Sequence, residues 1–440
     1  MEVFALVKDV LGIKMKKIKT GKHDMNMKFL TVALLSSSVL LSACNDDDDN
    51  ISFVPKPDIP ENNIKNPVVG IPTAYTKTDF SAVAAESSVL TYKMLGQNGK
   101  ETMATSLLFV PGGPTPQGGW KIVAWAHGTT GVADQCAPSL NATSSAIKDM
   151  ISQFLAAGYV VVAPDYEGLG EPSGRELHPF LNVKSEAFSI TDAVVAARYY
   201  LAGQGKVVSR QWMTVGHSQG GQAALGAAQY QSRAKLDYKG TIAVAPASNL
   251  DLILTAGEQS VDGQPSAVKI PVYASLDTFT ALITAGLRNL NSDLQYSQVF
   301  KNPTAEIAQQ YAETGCSGDI ANALGYSMTE YDYKTGSLNG YGRTQDNFLN
   351  LPVVKAFTTT DSQPLTVKVS TPIIIYQGTN DATVPRLATN VLVNSAQQKG
   401  TSIQYITDDS NPVKWDHGTA YDLNISNIVG DVKAAMPANN

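Results

Sequence analysis

The chain is poor in the residues that build metal and redox centres. It has three cysteines and five histidines in 440 residues, with no C-x-x-C pair and no H-E-x-x-H. Zinc-ribbon, dithiol and zincin readings are excluded on that ground, and neither a metal nor a nucleotide cofactor is implied. Basic charge is also scarce, at 33 Lys and Arg against 39 Asp and Glu. Seven of the lysines fall in the first 43 residues with only three acidic partners, so the remainder carries 26 basic and 36 acidic residues. A nucleic-acid partner would favour a basic face, and this chain does not supply one. The apolar stretch at 29–43 is 15 residues long, too short for a membrane-spanning helix. What the chain does have is 43% hydrophobic residues over a length that can bury a large core.

The N-terminal segment reads as a targeting sequence. In "MNMKFLTVALLSSSVLLSAC" a lysine, Lys28, precedes the apolar stretch, which ends in Leu41-Ser42-Ala43-Cys44. That ending resembles the lipobox of bacterial lipoproteins, where the leader (1–43) is cut away and Cys44 carries the lipid; a plain secretory signal is the alternative. Residues 1–24 precede start-like methionines at Met25 and Met27, so a later start codon is expected. Asn45 after the cysteine leans toward the outer membrane. Residues 44–66, with "NDDDDN" and several prolines, read as a tether, and the globular domain is expected over 67–440. An exported protein meets oxidising conditions, and after Cys44 only Cys136 and Cys316 remain, which makes their pairing in a disulfide the natural expectation; two buried thiols are the alternative.

The chemistry is concentrated in "MTVGHSQGGQAALGAAQ". Gly216-His217-Ser218-Gln219-Gly220 fits G-x-S-x-G, with a β-rich run before it and helix formers after it, the strand-turn-helix order that exposes a serine nucleophile. A serine hydroxyl needs a base. The required chain order is serine, acid, histidine, and His417 in "VKWDHGTAYD" is the one histidine downstream of Ser218; His23, His127, His178 and His217 all precede it. The acid should stand beyond a late strand, and "STPIIIYQGTNDATVP" places Asp381 there, with Asp251 as the rival and Asp416 weaker. For the oxyanion, the backbone N–H of Gln219 opens the helix, and the turn after "KIVAWA", His127-Gly128-Thr129, offers the N–H of Thr129.

"HGTTGVADQCAPS", "GYVVVAPDYEGLG", "GHSQGGQAAL", "GTNDATVP" and "DHGT" together resemble the secretory lipase family of α/β-hydrolases, from about residue 66 to the C-terminus. The resemblance implies Ser218, Asp381 and His417 as the triad and places Cys136 in the family's "CAPS" position. It leaves the acyl length of the substrate open.

The remaining sequence fits an α/β fold with a mostly parallel, doubly wound sheet. "WKIVAWAH", "YVVVAPDY", "QWMTVGHS", "TIAVAPA" and "TPIIIYQG" are short apolar strands, alternating with helical stretches such as "SSAIKDMISQFLAAG" and "SEAFSITDAVVAARYYLAGQG". The long connection before residue 372 implies an inserted cap at 251–366, largely helical around "FTALITAGLRNL" and "NPTAEIAQQYAETG", with a less regular part rich in Gly, Tyr and Asn. The expected activity is hydrolysis of apolar or lipid-like esters, with a small-molecule or lipid ester as the partner and a membrane reached through the N-terminal anchor. A serine peptidase of the prolyl-oligopeptidase type competes, although too few residues precede "KIVAWAH" for its propeller. So does a binding lipoprotein on a catalytically dead fold. Oligomeric state is not legible.

Overall fold

The computed structural model describes residues 59–438, so the leader, Cys44 and most of the tether lie outside the described residues. Nine strands form one sheet: β1 (Thr73–Ala74), β2 (Ala84–Leu95), β3 (Glu101–Pro111), β4 (Trp120–Ala126), β5 (Val160–Pro164), β6 (Val208–His217), β7 (Asp237–Val244), β8 (Ile373–Gln377) and β9 (Ile403–Thr407). Their order is β1-β2-β3-β5-β4-β6-β7-β8-β9. β1, β2 and β3 are antiparallel at one edge, and from β5 to β9 every pairing is parallel.

Side-chain alternation with period two explains why the central strands are apolar without interruption. Ile122, Ala124 and Ala126 of β4 enter the core on one face, together with Val160 and Val162 of β5. Val123, Trp125, Val161 and Ala163 enter the core on the other. Helices α2 (Val183–Gly203) and α3 (Gln219–Tyr230) cover the first face, and α1 (Ser145–Ala156) lies on the second. After β5 the chain crosses through α2 to β6, on the far side of β4. The strand order therefore reverses at β4, and the crevice beyond the carboxyl ends of β4 and β6 is where such sheets bind ligands.

Between β7 and β8 the chain builds an insertion of its own. It contains α4 (Leu250–Ser260), α5 (Ser266–Arg288), α6 (Tyr296–Val299), α7 (Thr304–Tyr311), α8 (Ser317–Thr335) and α9 (Pro352–Ala356). Ala281, Leu282, Phe300, Ile320, Leu324 and Met328 close a third core inside it. Arg343 clamps this unit by pairing with Asp277 at 2.7 and 2.9 Å and with Glu258 at 2.9 Å. The part expected to be less regular contains α8, a 19-residue helix. Its Gly, Asn, Thr and Tyr are weak helix formers, but Ile320, Leu324 and Met328 recur at helical spacing and packing against α5 prevails over propensity. The C-terminal region supplies α10 (Arg386–Gln398), α11 (Thr419–Asp422) and α12 (Ile425–Ala435).

Residues 59–66, expected in the tether, are docked on the domain. The buried Arg233 pairs with Asp192 through two bonds of 2.8 and 2.7 Å, and its third nitrogen donates to the carbonyl of Pro60 at 2.7 Å. Asn62 donates to the same Asp192 at 2.8 Å. Each of the three guanidinium nitrogens thus has an acceptor, and this stretch of chain supplies the third.

Candidate active site

Ser218 sits where β6 turns into α3, with φ 61 and ψ −123, a conformation unusual for a residue with a side chain. The flanking glycines are required by contact. A Cβ on Gly216 would strike the carbonyl oxygen of Gly220, and one on Gly220 would strike that of Ala126 in β4. The turn therefore lies tight against the neighbouring strand end while the hydroxyl points outward.

The structure brings Ser218, His417 and Asp381 together from the ends of three strands. His417 Nε2 is 2.9 Å from Ser218 Oγ, and His417 Nδ1 is 2.8 Å from Asp381 Oδ2. Asp381 is buried, and its other oxygen accepts from the backbone N–H groups of Thr383 and Val384 at 2.9 and 2.8 Å. Gln377, at the end of β8, donates to Oδ2 at 3.2 Å. Such donors hold the carboxyl group in one orientation, with Oδ2 turned to the imidazole. Asp251 stands exposed in the first turn of α4. Asp416 accepts from the N–H of Thr419 at 2.8 Å, which holds its carboxyl below the usual range, and it serves the turn before α11 instead of the ring beside it.

Four further residues, His217, Asp408, His178 and Glu186, complete the arrangement, and none of these four was legible as a site residue. His217 donates from Nε2 to the carbonyl of His417 at 2.9 Å, and the two rings lie 4.6 Å apart. Burial first, and the neighbouring His417 second, lower its pKa to about 3, so it stays neutral and keeps that donor. Asp408, fully buried after β9, accepts from the N–H and hydroxyl of Thr379 at 3.0 Å and from the N–H of Trp415, stapling the Asp381 loop to the His417 loop. The side-chain nitrogen of Gln219 donates to His178 Nε2 and to Glu186, both at 2.7 Å. His178 in turn donates from Nδ1 to the carbonyl of Glu167 at 2.9 Å, which leaves Nε2 as an acceptor. These contacts fix the first residue of α3 from behind, where its N–H would serve an oxyanion.

Thr129 follows β4 beside the elbow. A Cβ on Gly128 would lie 3.8 Å from that of Ser218, which measures how closely this loop approaches. His127 is buried with its ring stacked 4.3 Å from Tyr166, whose hydroxyl donates to the His127 carbonyl at 3.0 Å; burial lowers its pKa to about 4. The loop is also tied to the insertion. The N–H of Ser317 donates to the Thr130 carbonyl at 2.8 Å, and Cys136 and Cys316 form a disulfide with Cα atoms 5.4 Å apart.

Two cavities meet at Ser218. One is an open cleft of about 840 Å³ bounded by the His127 loop, α1, the insertion and the His417 loop. The other is a narrow apolar recess of about 30 Å³ between α4, α5 and the core. Among the described residues, no group of three or more His, Cys, Asp or Glu side chains could hold a metal ion.

The profile of the secretory lipase family matches residues 137–424. Among solved structures, a rice cell wall degrading esterase LipA from Xanthomonas oryzae aligns at 20% identity and TM-score 0.59, over 85% of this chain and 98% of that one. A hydrolase described as putative, from Legionella pneumophila, aligns at 17% and 0.63, over 84% and 98%. Candida antarctica lipase A in its closed state aligns at 18% and 0.62, over 84% and 82%. Among curated proteins none matches the sequence significantly. These neighbours share the α/β-hydrolase fold, and with the family profile spanning well over half of its length, the chain belongs to the secretory lipase family.

Proposed function

We propose that the protein is an exported serine carboxylester hydrolase in which Ser218 is the nucleophile, His417 the general base and acid, and Asp381 the group that orients it. The observation that carries this reading is the unbroken relay from Ser218 Oγ through His417 to Asp381, at 2.9 and 2.8 Å, on a strained strand-to-helix turn. His417 takes the hydroxyl proton as Ser218 Oγ bonds to the ester carbonyl carbon. The oxyanion is met by the N–H groups of Gln219 and Thr129, and His417 then delivers the proton to the departing alcohol oxygen as the C–O bond breaks. Water reverses the sequence: its proton passes to His417, its oxygen bonds to the acyl carbon, and Ser218 leaves with its proton restored. Asp381 stays ionised throughout and stabilises the imidazolium.

The apolar cleft suits a small-molecule or lipid ester. Anchoring through Cys44 belongs to the same reading, and it is supported by the lipobox-like sequence. Labelling of purified full-length protein with a fluorophosphonate tests the nucleophile. The expected result is one adduct on Ser218 and none in Ser218→Ala; labelling that persists in the variant, or fails in the parent, sinks the proposal. Radiolabelled palmitate should enter the protein and not Cys44→Ser.

A further inference from the structure

From the two cavities that meet at Ser218, we infer that the enzyme cleaves esters of short acids, two to four carbons, with bulky alcohols. This rests on the ester hydrolase reading and specifies its substrate. The alcohol side of an ester must face the group that protonates it, because the leaving oxygen takes its proton from His417 Nε2. His417 lines the open cleft and takes no part in the walls of the apolar recess. The alcohol therefore lies in the cleft of about 840 Å³. The acyl chain is left with the recess, which borders Gln219 and Thr129, where the carbonyl oxygen would be held.

The recess is small and closed by apolar side chains. Phe180 from the core and Leu250, Ile253 and Leu254 from α4 surround it, Ile283 of α5 and Val384 complete the wall, and all but Leu254 are at most 6% exposed. Its roughly 30 Å³ is about a fifth of a ~150 Å³ apolar cavity that takes the six carbons of benzene, so it admits a short chain of about one to three carbons beyond the carbonyl. Acetyl to butyryl fits; octanoyl, with seven carbons beyond the carbonyl, does not. Phe279 lines both cavities, as do Thr129, Ser218 and Thr383, and its ring is 6.5 Å from that of Phe180. The wide cleft is walled by Trp125, Ile147, Ile151, Pro271 and Tyr421, a surface for a large apolar alcohol. The insertion thus supplies much of the acyl pocket, as a cap should, but a pocket for short acids.

The test varies each side of the ester separately on the full-length enzyme. With p-nitrophenol as the constant leaving group, kcat/KM should peak between acetate and butyrate and fall at least tenfold by octanoate, since one misfit methylene is worth about 10-fold or more in a closed apolar pocket. With acetate constant, 2-(naphthyl)ethyl acetate should exceed ethyl acetate at least tenfold, the two alcohols having similar acidity. Ile253→Ala, which removes three heavy atoms from the recess wall, should raise the octanoate-to-butyrate ratio at least fivefold; Leu254→Ala, at a more exposed position, serves if the first variant does not fold. An optimum at eight carbons or more, or an unchanged ratio in the folded variants, overturns the assignment of the recess while leaving the ester hydrolase intact. Absence of turnover on every ester, with no fluorophosphonate label on Ser218, overturns the hydrolase reading and this inference with it.

Discussion

Removing the disulfide with Cys136→Ala and Cys316→Ala should lower the thermal midpoint by about 6 °C. The two cysteines are 180 residues apart, so the link closes a very long loop in the unfolded chain. The chain-entropy account gives about 5 kcal/mol for a loop of that size. Unfolding about 380 described residues at about 2.1 cal/mol/K each releases roughly 0.8 kcal/mol/K, and the quotient is the expected shift. Packing losses should add little, because Cys136 belongs to a small satellite cluster with Ala133, Ala137 and Leu169 and not to one of the main cores. Calorimetry of the double variant against the parent, at one scan rate, measures the shift, and the parent in reductant should move with the variant. A shift under about 1 °C would show that the unfolded chain gains no freedom from the cut, and the loop argument would then be wrong.

Two further outcomes follow from contacts around the site. His217→Phe keeps the ring stack on Tyr421 but removes the donor to the His417 carbonyl, a bond worth about 1 kcal/mol, so kcat on an acetate ester should fall roughly fivefold with KM little changed; unchanged kcat would deny His217 its positioning role. Glu167, whose pKa burial raises to about 7 although Ser185 and Gln97 donate to it, binds its proton more tightly folded than unfolded. Stability should therefore be greatest at or below the unfolded carboxylate pKa of about 4.5 with respect to this group, decline as pH rises toward about 7, and level off above it. Glu167→Gln should flatten that segment of a denaturant-midpoint against pH curve, and an unchanged slope would refute the assignment.

The legible parts of this molecule are those in which one segment carries its own signal. The elbow is such a segment, since Gly216 and Gly220 are dictated by a local collision, and so are the central strands, whose burial on both faces leaves continuous apolar runs. β2 and β3 form an antiparallel hairpin at the sheet edge and β9 is only half-buried, so none of the three was read as a strand; β9 offers "IQYIT", with no apolar run to mark it. The supporting residues were hidden for a different reason. His178 and Glu186 meet Gln219 across 41 and 33 residues, and His217 meets His417 across 200, so their roles exist only in the folded chain. In the insertion, α8 shows that a buried stripe of three apolar residues can set a helix that composition disfavours.

The insertion leaves the sheet at the end of β7 and re-enters it at the start of β8, strands whose ladder fixes Thr241 opposite Ile373 and Val244 opposite Tyr376. Ser218, Asp381 and His417 all lie outside it, on turns anchored by that ladder and its neighbours. On the proposed reading, chemistry and selectivity would be carried by separable lengths of chain. A lineage could exchange α4 and α5, and with them much of the room offered to the acyl group, while the reacting atoms keep their places.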